Sequence, residues 1–424
     1  MTKLVFHLGD MKTGSTAIQT ALSSKSWACD SVRLLYPHAN KVSHILFAQS
    51  LSGKIDGSRT EKLVREILDE IAATPSDVAV ISAEDFENVD PKVLKATIEE
   101  FMPEMLADAR FLAYVRPHAD RFPSTYAERV KTGRYTGTLT ELQATLHKRE
   151  IFVYTPRFLA WREAFGAAFE LRPMIRDLLY RKDVVADFLQ FALQTEDFTL
   201  ASTPDANESL SLENLAIVRQ LQLRLAEGHR KFQNYQSTLG RALARRMNDS
   251  AYQNGTKVRI HKALAEVVRQ QYAADAAALD EAFFRGSPMT DALNDAPAKA
   301  VDEPQSVRIE DHFSDREQYL INTFLDQTVV LINADPDFLA ETLRSAHRTK
   351  VTADQDHDAS AAPARRRPGQ GRKGGPRAGA GKGGAGKGGA GKGGAGKGGA
   401  GKGGAGRIAA RRANRAKALA AGDE

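Results

Sequence analysis

The chain has 424 residues, with 59 Lys and Arg, 53 Asp and Glu, and a formal net charge of +6. The excess is confined to one end: residues 361–424 hold 16 basic and 2 acidic residues, leaving 43 basic and 51 acidic in residues 1–360, so the basic isoelectric point belongs to a tail and not to the body. A single cysteine, Cys29, excludes an intrachain disulfide framework, and the absence of a ~20-residue apolar run or a signal-peptide core points to a cytoplasmic protein.

Leu4–Leu8 reads as a buried strand, and Ala17, Ile18, Ala21 and Leu22 recur at helical spacing just beyond it. Between them lies Lys12-Thr13-Gly14-Ser15-Thr16, a turn of small residues that would aim free helix N–H groups at an anion, with Lys12 adding charge and Ser15 and Thr16 adding hydroxyls. Its lysine precedes the glycine, whereas a nucleotide-hydrolysing loop places Gly-Lys-Ser/Thr in the opposite order. The dinucleotide pattern G-x-G-x-x-G is missing too.

Residues 23–60 read as connecting structure with short helical pieces around Tyr36-Pro37 and His44-Ile45-Leu46. Lys62–Ala73 is an amphipathic helix carrying Leu63, Val64, Ile67, Leu68 and Ile71 on one stripe. Val78–Ile81 is a short strand running into Ser82-Ala83-Glu84-Asp85, and polar residues just past a central strand lie on the ligand edge of an open α/β sheet. A helix at Pro91–Phe101 precedes a strand at Phe111–Val115, with Arg116 at its end and Ser124 eight residues on. Tyr126, Arg129, Lys131 and Arg134 make this the most basic part of the body.

Helices are expected at Leu139–Leu146 and Phe158–Phe165, a strand at Ala168–Arg172, and a helix at Val184–Leu193 with Asp187 near a helix–sheet junction. Pro204–Ser211 reads as a polar connection, Leu212–Leu225 and Lys257–Ala278 as helices, 286–308 as a loop, and 313–343 as one or two closing helices. The alternation predicts an α/β fold with a central, mostly parallel sheet flanked by helices. Three segments are expected: a 1–230 α/β core, a 231–350 mainly helical extension or cover, and a disordered basic tail at 351–424.

Three polar clusters thus fall at strand ends: Lys12–Thr16, Ser82–Asp85, and Arg116 with Ser124. Together they resemble the donor site of the sulfotransferases that use 3′-phosphoadenosine 5′-phosphosulfate (PAPS). In that family a Lys-containing turn after the first strand binds the 5′-phosphosulfate, and a later arginine with a serine eight positions on holds the 3′-phosphate. The resemblance implies a P-loop-like sulfotransferase fold and PAPS as cosubstrate. It places Lys12, Thr13, Gly14, Ser15 and Thr16 on the 5′ side and Arg116 and Ser124 on the 3′-phosphate. Phe169–Pro173, Asp187–Leu189 and Asn207–Ser211 are similar to bacterial relatives of the carbohydrate sulfotransferases. The late R-K-G-x-x-G element of the cytosolic small-molecule enzymes is missing. The resemblance spans residues 2–230.

Sulfuryl transfer needs positive charge at the departing phosphate and a base for the acceptor proton. Lys12 and the amides near Gly14–Thr16 suit the first role, and the planar fork of Arg116 suits a fixed phosphate. Glu84 is the leading base, with His44 as the alternative because imidazole titrates near neutrality. His7 reads as a sheet histidine and His118 as lining the cleft. No metal-ligand signature occurs. The acceptor is an unknown hydroxyl- or amine-bearing molecule, with carbohydrate implied by resemblance. The tail repeats Gly-Ala-Gly-Lys-Gly with lysines at 382, 387, 392, 397 and 402, and resembles histone-H1-like tails in composition. It is expected to be flexible and to attract polyanions, including nucleic acid, without sequence preference. A nucleotide-dependent kinase and a catalytically degenerate scaffold with a polyanion-binding tail are the alternatives.

Overall fold

The computed structural model describes residues 2–37, 42–201, 210–227, 233–248 and 255–335, all within one compact unit. The basic tail and residues 204–209 of the polar connection lie outside them. The strands are β1 (Lys3–Leu8), β2 (Trp27–Ala28), β3 (Leu34–Leu35), β4 (Val78–Ala83), β5 (Arg110–Val115), β6 (Phe169–Pro173) and β7 (Thr199–Leu200). Helices α1 (Ser15–Ser24), α2 (Ile45–Leu51), α3 (Thr60–Ala73), α4 (Pro91–Phe101), α5 (Pro103–Leu106), α6 (His118–Lys131), α7 (Leu139–Lys148), α8 (Thr155–Phe165) and α9 (Val184–Leu193) alternate with them. Then follow α10 (Leu212–Glu227), α11 (Gln233–Asn248), α12 (Lys262–Phe283), α13 (Pro288–Lys299) and α14 (Asp315–Ala334).

The near-continuous apolar runs of β1, β4 and β5 are explained by a sheet covered on both faces. The order is β3-β4-β1-β5-β6, every pair parallel, with β1 at the centre in register Phe6↔Ile81 and Phe6↔Phe111. Leu4, Phe6 and Leu8 enter one core with Ile81 and Phe111, while Val5 enters the other with Val80, Leu112 and Tyr114. Helix α1 supplies Ile18 and Leu22 to the second core, and α6 supplies Phe122 and Val130 to the first. The chain therefore leaves β1 toward one face and β5 toward the other. Their carboxyl ends border the topological switch point, where open α/β sheets bind ligands.

The parallel α/β expectation matches this architecture. Two local readings need correction. Residues 286–308 contain α13 rather than a continuous loop. Pro288 at its first turn presets the helical φ, Asp280 accepts from Met289 N and Thr290 N at 2.9 and 2.8 Å, and Met289, Leu293 and Ala296 form a buried stripe. The alanine, aspartate and proline content masked that stripe. Likewise α12 starts at Lys262 rather than at Lys257. Residues 257–261 are drawn out by bridges Ser211↔Lys257 and His261↔Val301. Helices α10, α12 and α13 pack on α6, and Ala292, Ala296 and Lys299 of α13 border the same space as Arg116 and Ser124.

Candidate functional site

The turn after β1 is held by its own backbone and by buried charge. Gly14 caps α1 at φ +84°, and a Cβ there would stand 2.9 Å from Val184 Cγ1, so only glycine fits without displacement. Lys12 adopts φ +66°, an uncommon left-handed conformation for a non-glycine residue. No side chain caps α1, and Ile18 is the first amide to reach back, to Gly14 O at 3.2 Å. The amides of Ser15, Thr16 and Ala17 thus precede the intrahelical ladder, the arrangement that receives anions. Thr13 is buried and donates its hydroxyl to Asp10 O at 2.7 Å, so its side chain locks the turn instead of facing a ligand.

Beneath the turn, Asp10 accepts from Arg121 Nη2 at 2.9 Å and Arg157 Nη2 at 2.8 Å, and Glu87 lies 3.2 Å from Arg157 Nη1. Glu87 Oε2 also accepts from Met11 N at 3.2 Å. Burial raises the Asp10 carboxyl, but the two guanidiniums outweigh it and hold it at about 2. Burial, reinforced by the Asp10 charge, pushes Glu87 up to about 7. This cluster was missed in sequence because its members come from four separate segments.

Arg116 crosses the switch point. Its Nη1 donates to Lys12 O at 3.0 Å and to Ser124 Oγ at 3.4 Å. Pro117 is extended (φ −50°, ψ 140°) and starts α6 at the next residue, so a strand-to-helix corner folds the eight-residue spacing back on itself. The two sequence clusters at Lys12 and Arg116 are therefore brought together. Burial lowers the Arg116 guanidinium, opposed by Asp120, yet an arginine stays charged under such conditions.

The carboxylates divide. Asp85 is buried and accepts from Gln49 Nε2 at 2.6 Å and Lys54 Nζ at 2.5 Å, which tie it to the α2 side. Glu84 interacts electrostatically with Lys12, Glu128 and Arg241; burial raises its pKa and Lys12 partly offsets that. Gly9 brings the chains this close, since a Cβ there would meet Ala83 O and Glu84 Cα at 3.0 Å. Lys12 Nζ lies 3.3 Å from Glu128 Oε2, and Glu128 also contacts Lys131 and, at 3.5 Å, Arg241. Burial lowers the Lys12 pKa against the opposing pull of Glu128. Glu128 was overlooked, although it follows Ser124 by one helical turn and so shares its face.

His44 packs against Ser82, two residues before Glu84. It is buried at the start of α2, its Nδ1 accepting from Ser82 N at 3.1 Å, with its ring edge-on to Tyr36. His7 is buried against Ser82 Oγ at 2.8 Å, and burial lowers its pKa to about 3. His118 is fully buried and bonded through Nε2 to Asp275 at 2.9 Å, and it is not among the residues lining the cavity beside Arg116.

A cavity of about 700 Å³ opens beside Arg116 and Ser124. Its walls also carry Arg176, Lys182, Lys257, Arg259 and Lys299, against the acidic Asp120 and Asp183. The Asp183 carboxylate already caps α9 through Val185 N and Ala186 N. Met174 and Val184 line the cavity and also bound the Gly14 turn, so the two are contiguous. Such a volume accommodates a nucleotide-sized ligand. Among the described residues no group of three His, Cys, Asp or Glu is placed to hold a metal ion, and no helix is long and apolar enough to cross a membrane.

No family model matches the chain, and no curated protein matches it. Among solved structures, it is similar to the crystal structure of a sulfotransferase from Alicyclobacillus acidocaldarius at 14% identity and a TM-score of 0.41. That similarity covers 68% of this chain and 99% of the other.

Proposed function

We propose that the chain is a PAPS-dependent sulfotransferase. The observation that carries this reading is the junction of Arg116 with both the Lys12 turn and Ser124, beside a nucleotide-sized cavity rich in basic side chains. A donor with a phosphate at Arg116 and Ser124 and a phosphosulfate at the α1 amides would span this junction. An acceptor oxygen or nitrogen attacks sulfur in line as the bond from sulfur to the bridging phosphate oxygen breaks. That oxygen keeps the bonding electrons and leaves on adenosine 3′,5′-bisphosphate. Lys12 and the Ser15–Ala17 amides stabilise the charge developing there, and Glu84 takes the acceptor proton. Its raised pKa brings the carboxylate nearer the range of an efficient base. The acceptor is a hydroxyl or amine, with carbohydrate as the favoured class. The 351–424 tail would add nonspecific attraction for polyanions, lost on truncation near residue 360.

Calorimetric titration of adenosine 3′,5′-bisphosphate tests the donor site. Lys12→Ala and Arg116→Ala should each weaken binding by roughly tenfold or more, because each removes a charge-assisted contact. Unchanged binding in both variants overturns the assignment. Transfer of labelled sulfate from PAPS to a panel of glycans then tests the chemistry.

A further inference from the structure

Helix α14 is apolar on two opposite sides, and one of them faces outward. On the inner side, Leu325 and Ile332 are buried against Leu221 and Leu225 of α10, with Ile321 and Val329 beside them. Arg224 of α10 fixes this packing, donating through Nε to Asp326 Oδ1 at 2.7 Å and through Nη2 to Asn322 Oδ1 at 2.7 Å. The outer side carries Leu320, Phe324, Gln327 and Leu331 at the i, i+4, i+7, i+11 spacing of a helix seam, flanked by Tyr319, Thr323 and Val330. Phe324 is 74% exposed, Tyr319 70% and Leu331 69%, the highest values of any large apolar side chain among the described residues. From Tyr319 to Ala334 the single charged residue is Asp326, already paired with Arg224. A helix with one face in water carries charge on that face, whereas one that is apolar all round is covered all round.

We propose that the outer face of α14 binds a second copy of this chain, with the two α14 helices antiparallel across a two-fold axis. The seam is close to its own reverse: Leu320 of one copy meets Leu331 of the other, and Phe324 meets Gln327, as a self-complementary contact requires. Each helix N-terminus then lies beside the C-terminus of the other, which suits their dipoles. Tyr319, Leu320, Phe324, Val330 and Leu331 together expose roughly 600 Å² per copy, so the pair would bury about 1,200 Å², the lower bound of a stable interface. The residues that follow α14 match this face less well. Folded back as a helix from Pro336 at ~1.5 Å per residue, they would set His347, Arg348 and Lys350 against Phe324, Leu320 and Tyr319. A second α14 offers apolar side chains along the whole seam. The inference is independent of the donor-site reading.

Sedimentation equilibrium of the full chain tests it, at a salt concentration that screens polyanion bridges through the tail. At micromolar concentration the mass should be twice the 46.3 kDa of one chain. Phe324→Lys combined with Leu331→Lys should weaken the dimer by about 100-fold or more, because the introduced ammoniums lose water against apolar surface. A monomeric wild type, or a dimer that survives the double substitution, overturns the proposal. Leu320→Glu and Leu331→Lys, each made alone, test the register and do not depend on how well the double variant folds. Mixed, they should form heterodimers in preference to either homodimer, since the antiparallel seam sets the introduced carboxylate opposite the introduced ammonium. Absence of that preference overturns the antiparallel pairing. Ending the chain at residue 335 checks the remaining occupant. If the shortened chain dimerises and the full chain does not, the face belongs to the residues that follow α14, and the proposal falls.

Discussion

Two pairs of carboxylates flank the same turn and are balanced by different cations. Asp10 and Glu87 face Arg121 and Arg157, whose guanidiniums form a fixed fork on the closed side of the turn. Glu84 and Glu128 face Lys12 and Lys131, with Arg241 at the margin, on the side toward the proposed sulfur position. The Asp10 side chain is 3% exposed and that of Glu128 is 24% exposed. An arginine fork holds a carboxylate in one geometry, whereas an ammonium is a mobile point charge that can pass to another anion. The first pair builds the turn, and the second leaves Lys12 available for exchange. The same residue types thus fix shape on one side and leave a movable charge on the other.

The largest effect that can break this comparison is at Glu84. Glu84→Gln keeps the side-chain size and removes the proposed base, so turnover should fall by about two to four orders of magnitude with little change in nucleotide affinity. In the wild type, turnover should rise with pH as Glu84 loses its proton, because burial raises its pKa, and fall at high pH as Lys12 loses its own, because burial lowers it. The acid limb should be missing from the residual activity of Glu84→Gln. Retention of normal turnover would return the base to another residue.

Next in size is Asp10. Asp10→Asn removes the nearer of the two carboxylates that Arg121 and Arg157 share and leaves Glu87, 3.7 and 3.2 Å away, to offset both guanidiniums, so the loss should stay below the about 3–5 kcal/mol of a buried pair broken outright. Chemical denaturation should show that loss, and nucleotide binding should weaken along with it because the turn loses its support. An unchanged unfolding midpoint would remove the structural role given to this pair. Glu128→Gln should act in the opposite sense. It frees Lys12 from a partly exposed pair worth up to about 1 kcal/mol, so adenosine 3′,5′-bisphosphate should bind up to about fivefold tighter. Weaker binding would mean that Glu128 orients Lys12 rather than competing for it.

Much of the sheet was legible in sequence because β1, β4 and β5 are apolar at most positions, and the turn because lysine, glycine and hydroxyls cluster within five residues. Arg116 and Ser124 were legible as a pair through their spacing. What escaped was whatever depends on which face a residue takes. Glu84 and Asp85 are neighbours, yet only the three-dimensional corner after β4 sends one toward Lys12 and the other toward Lys54. His44 was legible by its titration range, whereas the Ser82 amide from which its Nδ1 accepts comes from a strand end 38 residues along the chain. Asp10, Glu87, Arg121 and Arg157 share no local pattern at all. Long-range pairing carries no periodic signature.

The last effect is the most specific to the structural pair. Burial raises the folded-state pKa of Glu87 from 4.5 to about 7, so the folded state holds a proton that the unfolded chain releases. The resulting stabilisation is complete below pH 4.5 and is lost as pH rises through 7. Asp10 works in the other window: its depressed pKa stabilises above its unfolded value of 3.8 and is lost as pH falls toward 2. Glu87→Gln fixes the neutral form while keeping an oxygen to accept from Met11 N. Between pH 5.5 and 8.5 wild-type stability should therefore decline by roughly 1–3 kcal/mol relative to Glu87→Gln, whose curve stays flatter. Denaturation at the two pH values measures the difference directly. Parallel curves would mean that Glu87 is ionised throughout, so that the two carboxylates share the forks as a doubly charged pair and the contrast with Glu84 and Glu128 rests on geometry alone.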